Sequence, residues 1–174
     1  MEGKCVNNNL IFLFFQARIA SFFNHAEMTS KLGSSVASNG NDRDYTSLVH
    51  SLSLLNSATI DYWWVDLQKN YHVAFALIYH RSGQIGRFRN VRFYLSYQRP
   101  SSLQRNSQLN LDYNYLCDQR SNDAPWTSLQ TDITVYNSSC RGTGRYFIIR
   151  MDGDNGGNQF LEFVEAEVFV TAER

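Results

Sequence analysis

The sequence predicts an all-β protein: short antiparallel strands packed as a sandwich, jelly roll or barrel. Two observations carry this. First, the chain is rich in aromatic residues, with 12 Phe and 10 Tyr, and holds only 2 Pro and no long apolar helical pattern. Second, several stretches alternate with period two between turn signals. The clearest is Val91, Phe93, Leu95 and Tyr97 on one face, with Arg92, Tyr94 and Ser96 on the other.

The pattern divides the chain in order. Thr29 to Asp44 is rich in Ser, Asn and Gly and reads as loop, and Val49 to Leu55 is moderately apolar without a clean period. Trp63 to Tyr97 is the organising stretch. A Trp pair runs into Asp66 and Leu67, then an apolar run, Tyr71 to Tyr79, then a basic loop, Arg81 to Arg89, then the alternating strand. This predicts a hairpin whose tip carries Arg81, Arg87 and Arg89. An aromatic pair such as Trp63–Trp64 most often packs a core, because the rings bury large apolar area. Arg99 to Ser107 is a polar connection. Leu109, Leu111, Tyr113 and Tyr115 alternate up to Cys117, and Asp118 to Ser128 is an irregular loop. Ile133 and Val135 mark a short strand before Cys140. Arg145 to Met151 is strongly β-prone, and Asp152 to Asn158 is a glycine-rich acidic loop. Phe160 to Val170 alternates again, with Phe163, Glu165 and Glu167 on one side. The count is about seven strands, the pattern expected of many short strands joined by turns.

The 174 residues fit one domain with a sizeable core. A formal net charge of +0 argues against a nucleic-acid partner, which calls for a basic excess. No apolar run is long enough for a membrane-spanning helix. Residues 1–27 form a poorly defined N-terminal segment. Its apolar run Leu10 to Phe15 is short, is followed by Arg18, and makes a poor secretory leader. It reads as a degenerate leader, an inexact chain start, or a short strand or helix. Of the 3 cysteines, Cys5, Cys117 and Cys140, none forms a CxxC pair, so a structural zinc site is not expected. Cys117 and Cys140 can pair, or all three can be free thiols. Asn137-Ser138-Ser139 is an N-glycosylation sequon, which suits a secretory route. The four histidines, His25, His50, His72 and His80, sit in no catalytic frame, so an enzyme is not expected. The Asp152 loop fails as an EF-hand: Gly156 holds the fifth position and Phe163 the twelfth, where a bidentate Glu is required.

Several motifs in fixed order resemble one family. WWVDL at Trp63–Leu67 comes first, then Tyr79-His80-Arg81, then Arg87-Phe88-Arg89-Asn90-Val91. Cys140 precedes Gly144-Arg145-Tyr146-Phe147, and Phe163-Val164-Glu165-Ala166-Glu167-Val168 ends the pattern. Ala37-Ser38-Asn39-Gly40-Asn41 is similar to an early loop of the same family. Together these resemble the fucolectin (F-type lectin) branch of the galactose-binding-like domains, over roughly Met28 to Thr171. The resemblance implies an eight-stranded antiparallel β-sandwich with jelly-roll topology over residues 28–171. It also implies an extracellular carbohydrate-binding module.

The implied sugar site uses a His, two basic residues and an Asp. Arginine suits it because the guanidinium offers several donors to hydroxyl groups. Here Arg81 and Arg87 take the basic positions, and Gly83 stands where the Asp is expected. Gln84 and Ile85 replace paired cysteines, Asn56 stands at the strict His spacing, and His50 is the nearest histidine. The resemblance implies Ca2+ as a cofactor, with Asn39, Asn41 and Glu165 as ligands; Asn39 replaces an Asp and costs a charge. It also implies a Cys117–Cys140 bridge. The expected partner is a fucose- or galactose-containing glycan; the alternative is a protein partner bound by an adhesion module that has lost the sugar pocket.

Overall fold

The computed structural model describes residues 17–171 apart from 55, 57, 101–103, 111, 121–126, 131 and 155–158. Cys5 and the Leu10–Phe15 run lie outside the described residues, as do the centres of the loops expected after Asp118 and Asp152. The strands are β1 (Ala17–Ile19), β2 (Ala26–Met28), β3 (Val49–His50), β4 (Ile60–Arg81), β5 (Val91–Ser96) and β6 (Asn114–Gln119), followed by β7 (Thr127–Gln130), β8 (Ile133–Ser138), β9 (Gly142–Asp152), β10 (Glu162–Phe163) and β11 (Glu165–Thr171). All pairings are antiparallel.

The long strand β4 builds both layers. Its first part pairs with β2 and β9, and β9 continues to β5 and β6. Its last part, from Val73 to Arg81, pairs with β11 on one side and β8 on the other. Between Asp66 and Tyr71 the register against β9 slips, and Gln68 takes a positive φ of 76°. This bulge lets one strand leave the first layer and enter the second. The result is an all-β sandwich, as expected.

The main core lies between the layers. Trp63 and Val65 from β4, Phe93 and Leu95 from β5, Phe147 and Ile149 from β9, and Ala166 and Val168 from β11 are all buried in one cluster. Burying each large apolar side chain contributes about 1.5–3 kcal/mol. The alternation of β5 is as expected over Val91, Phe93 and Leu95, while Tyr97 lies beyond the strand and is exposed. Trp63 fills the core edge-on to Phe163 and donates its indole N–H to the Ala37 carbonyl. Trp64 points the other way, into a second cluster with Tyr62, Tyr94 and Ile148. Both faces of the first layer are therefore covered.

Three expectations need correction. β4 and β5 do not form a hairpin: β9 lies between them, and β5 pairs with β9 and β6. The basic segment is instead a 3-10 turn, Ser82–Arg87, that crosses from one layer to the other. The alternation from Phe163 onward is broken by a bend at Val164, so Phe163 joins Ala166 and Val168 in the main core while Val164 packs with Tyr79 and Ile133. Paired structure also starts before residue 28: β1 binds the edge of β11, and β2 binds β4.

Candidate functional site

One end of the sandwich gathers the side chains that the sequence singled out. The short pair β3–β10 sets His50 directly across from Glu162. Arg81 ends β4, and Arg87 ends the 3-10 turn that follows. All three converge on Glu162. Its Oε1 accepts from the Arg81 guanidinium, and its Oε2 lies 3.3 Å from the Arg87 guanidinium and 3.1 Å from His50 Nε2. The Glu162 side chain is 0% exposed, whereas that of Arg81 is 47% exposed and that of Arg87 27%. The carboxylate is thus the buried anchor, and the guanidinium groups keep outward-facing donors. Burial pushes the Glu162 carboxyl up, but the hydrogen bond from Arg81 and the electrostatic influence of His80, Arg81 and His50 hold it below its ordinary value.

An aromatic ring completes the rim. Phe160 packs 4.7 Å from the His50 ring, and the Arg87 guanidinium lies 5.2 Å from the Phe160 centroid. Beside His50 opens a cleft of about 290 Å³ lined by Leu32, Ser34, Ser35, Asn39, Leu48 and His50. Donors grouped beside an apolar ring can hold the hydroxyls of a sugar and pack against its C–H face.

The structure brings His50, Arg81 and Arg87 together. Asn56 is remote from them in role: its Oδ1 accepts from the Ala58 N–H and the Thr59 hydroxyl and closes a turn. Arg89, the third basic residue of the segment, faces Asp154 at 3.8 Å instead. Sequence reasoning missed Glu162 and Phe160. Gly83 leaves the Arg81 segment without its own acid, and Glu162 supplies that acid from the far end of the chain. The available signal was an acid at the start of a buried apolar strand, a position that needs a partner.

The loop around Asn39 and Asn41 packs against β11. Glu165 is buried, its Oε2 accepts from the Arg43 N–H, and burial with Asp42 and Glu167 nearby pushes its carboxyl up to about 7. Asn41 is 1% exposed and donates through Nδ2 to the Ser21 and Asn24 carbonyls; its Oδ1 is buried with no partner among the described residues. Asn39 donates to the Leu48 carbonyl, and its own carbonyl accepts from Ser47. Among the described residues, no group of three or more His, Cys, Asp or Glu side chains is placed so that it could hold a metal ion.

Cys117 and Cys140 are bonded, with Cα atoms 4.6 Å apart, which ties β6 to the connection between β8 and β9. Asp118 reinforces that link, accepting from the Ser138 hydroxyl and the Ser139 N–H. No helix among the described residues is long and apolar enough to cross a membrane.

No protein-family model matches the chain, and no curated protein matches it. Solved structures do. A fucolectin from striped bass (Morone saxatilis) serum aligns at a TM-score of 0.65 and 16% identity over 90% of this chain. The chain spans about half of that protein, 48%. The lectin domain of lectinolysin, solved with Lewis b antigen, aligns at 0.57 and 18% identity, covering 89% of this chain and 98% of that one. A family 32 carbohydrate-binding module from C. perfringens NanJ, solved with galactose, aligns at 0.56 and 17% identity, over 83% of this chain and 92% of that one. At these identities the likeness is one of fold.

Proposed function

We propose that this chain, whose fold is that of the F-type lectins and galactose-binding-like modules, is an extracellular, non-catalytic module that binds a glycan through His50, Arg81, Arg87 and Phe160. The observation that carries this reading is the convergence of three cationic or donor side chains on the buried carboxylate of Glu162. Such an anchor fixes the guanidinium groups before a ligand arrives, and preorganisation lowers the entropy cost of binding. Fucose- and galactose-containing glycans are the ligands to try first, since the structural neighbours include a Streptococcus pneumoniae fucose binding module and a module in complex with galactose. The Cys117–Cys140 bond favours an oxidising compartment.

Calcium belongs to the same reading. The oxygen donors fit it: Asn41 Oδ1 is a buried acceptor left over, and Glu165 is a buried carboxylate with Asp42 close by. Asn41 and Glu165 would hold the ion, with Asn39 adding oxygen from the loop. Ca2+ there would offset the like charges and join the loop to β11.

A glycan array with and without EDTA, followed by titration of the sugars found, tests the proposal. Binding that is lost on replacing Arg81 or Arg87 by Ala supports it. An array on which no glycan is retained overturns it.

A further inference from the structure

The single sequon of the chain, Asn137-Ser138-Ser139, sits on the outer face of the second layer, away from the rim. We infer that Asn137 is an N-glycosylation site, and that its glycan covers the half-exposed aromatic face of β4 and β11. The inference rests on the extracellular reading above, because N-glycosylation needs the secretory route.

The placement carries the argument. Asn137 is exposed on β8 and lies directly across from Leu77 of β4. Two residues back along β4 on the same face is Phe75, which stacks on Phe169 of β11 at 4.4 Å and an interplanar angle of 13°. Both rings are only partly buried. A cleft of about 220 Å³ opens against Asn137, lined by Ala74, Phe75, Asn137, Ser139 and Arg141. The two stacked rings present a partly buried aromatic edge beside that cleft. A glycan on Asn137 emerges beside that cleft, and the C–H face of its first sugar can lie against Phe75. Ser138 is buried and holds Asp118, so the strand is pinned while Asn137 and Ser139 face solvent. Asn137 is four residues along the ladder from the Arg81 pairing, about 13 Å, so its point of attachment is separate from the rim.

The chemistry is a group transfer from an oligosaccharide carried on a lipid diphosphate. Asn137 Nδ2 bonds to the anomeric carbon, the bond from that carbon to the diphosphate oxygen breaks, the lipid diphosphate leaves with the electron pair, and Nδ2 loses one proton.

The test uses the full chain directed into the secretory pathway of a eukaryotic cell by an added leader. Intact mass is measured before and after treatment with a peptide N-glycosidase. The expected result is one glycan, absent in Asn137→Gln and in Ser139→Ala. Secreted, folded protein whose Asn137 carries no glycan overturns the site. The cover is tested by comparing Tm with and without the enzyme treatment. Deglycosylation is expected to lower Tm by roughly 2–4 °C in the parent and to have no effect in Phe75→Ser. Equal shifts in the two proteins, or no shift in the parent, overturn the cover. Glycan occupancy is read by mass and sugar binding by titration, so failure here is distinct from failure of the lectin reading.

Discussion

Glu162→Gln isolates the anchor of the rim. The substitution keeps the shape of the side chain and removes its charge. In the parent, Glu162 is fully buried and is shared by Arg81, Arg87 and His50. A hydrogen bond to a charged group is worth about 1.5–3 kcal/mol, and partial exposure of the two arginines screens that value. The expected loss is about 2 kcal/mol, which for a chain of this size lowers Tm by about 4–8 °C. The pH profile adds a second readout. Folding depresses the Glu162 pKa below its ordinary 4.5. Its stabilisation is therefore fully present above that value and is lost as pH falls through the lower folded value. The gap between parent and Glu162→Gln should close as pH drops below 4.5. Affinity for a confirmed sugar should fall at least tenfold, since the guanidinium groups lose their fixed position. If Glu162→Gln matches the parent in Tm at neutral pH and in affinity, the anchor has no role and the reasoning fails.

Three more outcomes are expected. Arg81→Ala should weaken sugar binding at least tenfold and also lower Tm modestly, by differential scanning fluorimetry, because it strips a partner from buried Glu162; an unchanged Tm would contradict the ion pair. Millimolar Ca2+ should raise Tm, by about 5–10 °C at a hundredfold excess over Kd, and Glu165→Gln should abolish the rise; a parent Tm blind to both Ca2+ and EDTA removes the cation site. Cys140→Ser opens a bridge with a sequence separation of 23, for which the chain-entropy treatment gives about 3 kcal/mol; a Cm in urea unchanged from the parent would show that the bridge contributes nothing.

Much of the fold was legible because it is local. The alternation of Val91, Phe93 and Leu95 is a property of neighbouring residues, and it marks the face of β5 that enters the main core. The false hairpin shows the limit. β4 and β5 are adjacent in sequence, but β9, which lies far along the chain, pairs with both. Local pattern does not encode that insertion. The bend at Val164 is a second case, since a single irregular residue flips the faces that follow. At the rim, the basic residues could be picked out by motif, because they lie close together around one turn. Glu162 is marked in sequence only as an acid that needs a partner; which partners it meets is set by long-range contacts, to His50 through the two-residue pairing of β3 with β10 and to Arg81 and Arg87 from β4 and its turn, and these leave no periodic signal. The same absence hid Phe160.

The most direct measurement of the central claim is an isothermal titration of the chain with fucose and with galactose, repeated on Arg81→Ala and Arg87→Ala. The account predicts saturable binding of one of these sugars by the parent and at least a tenfold weaker Kd for each variant. Binding of that sugar by both variants as tightly as by the parent would contradict it, and the arginines would then serve only to neutralise Glu162.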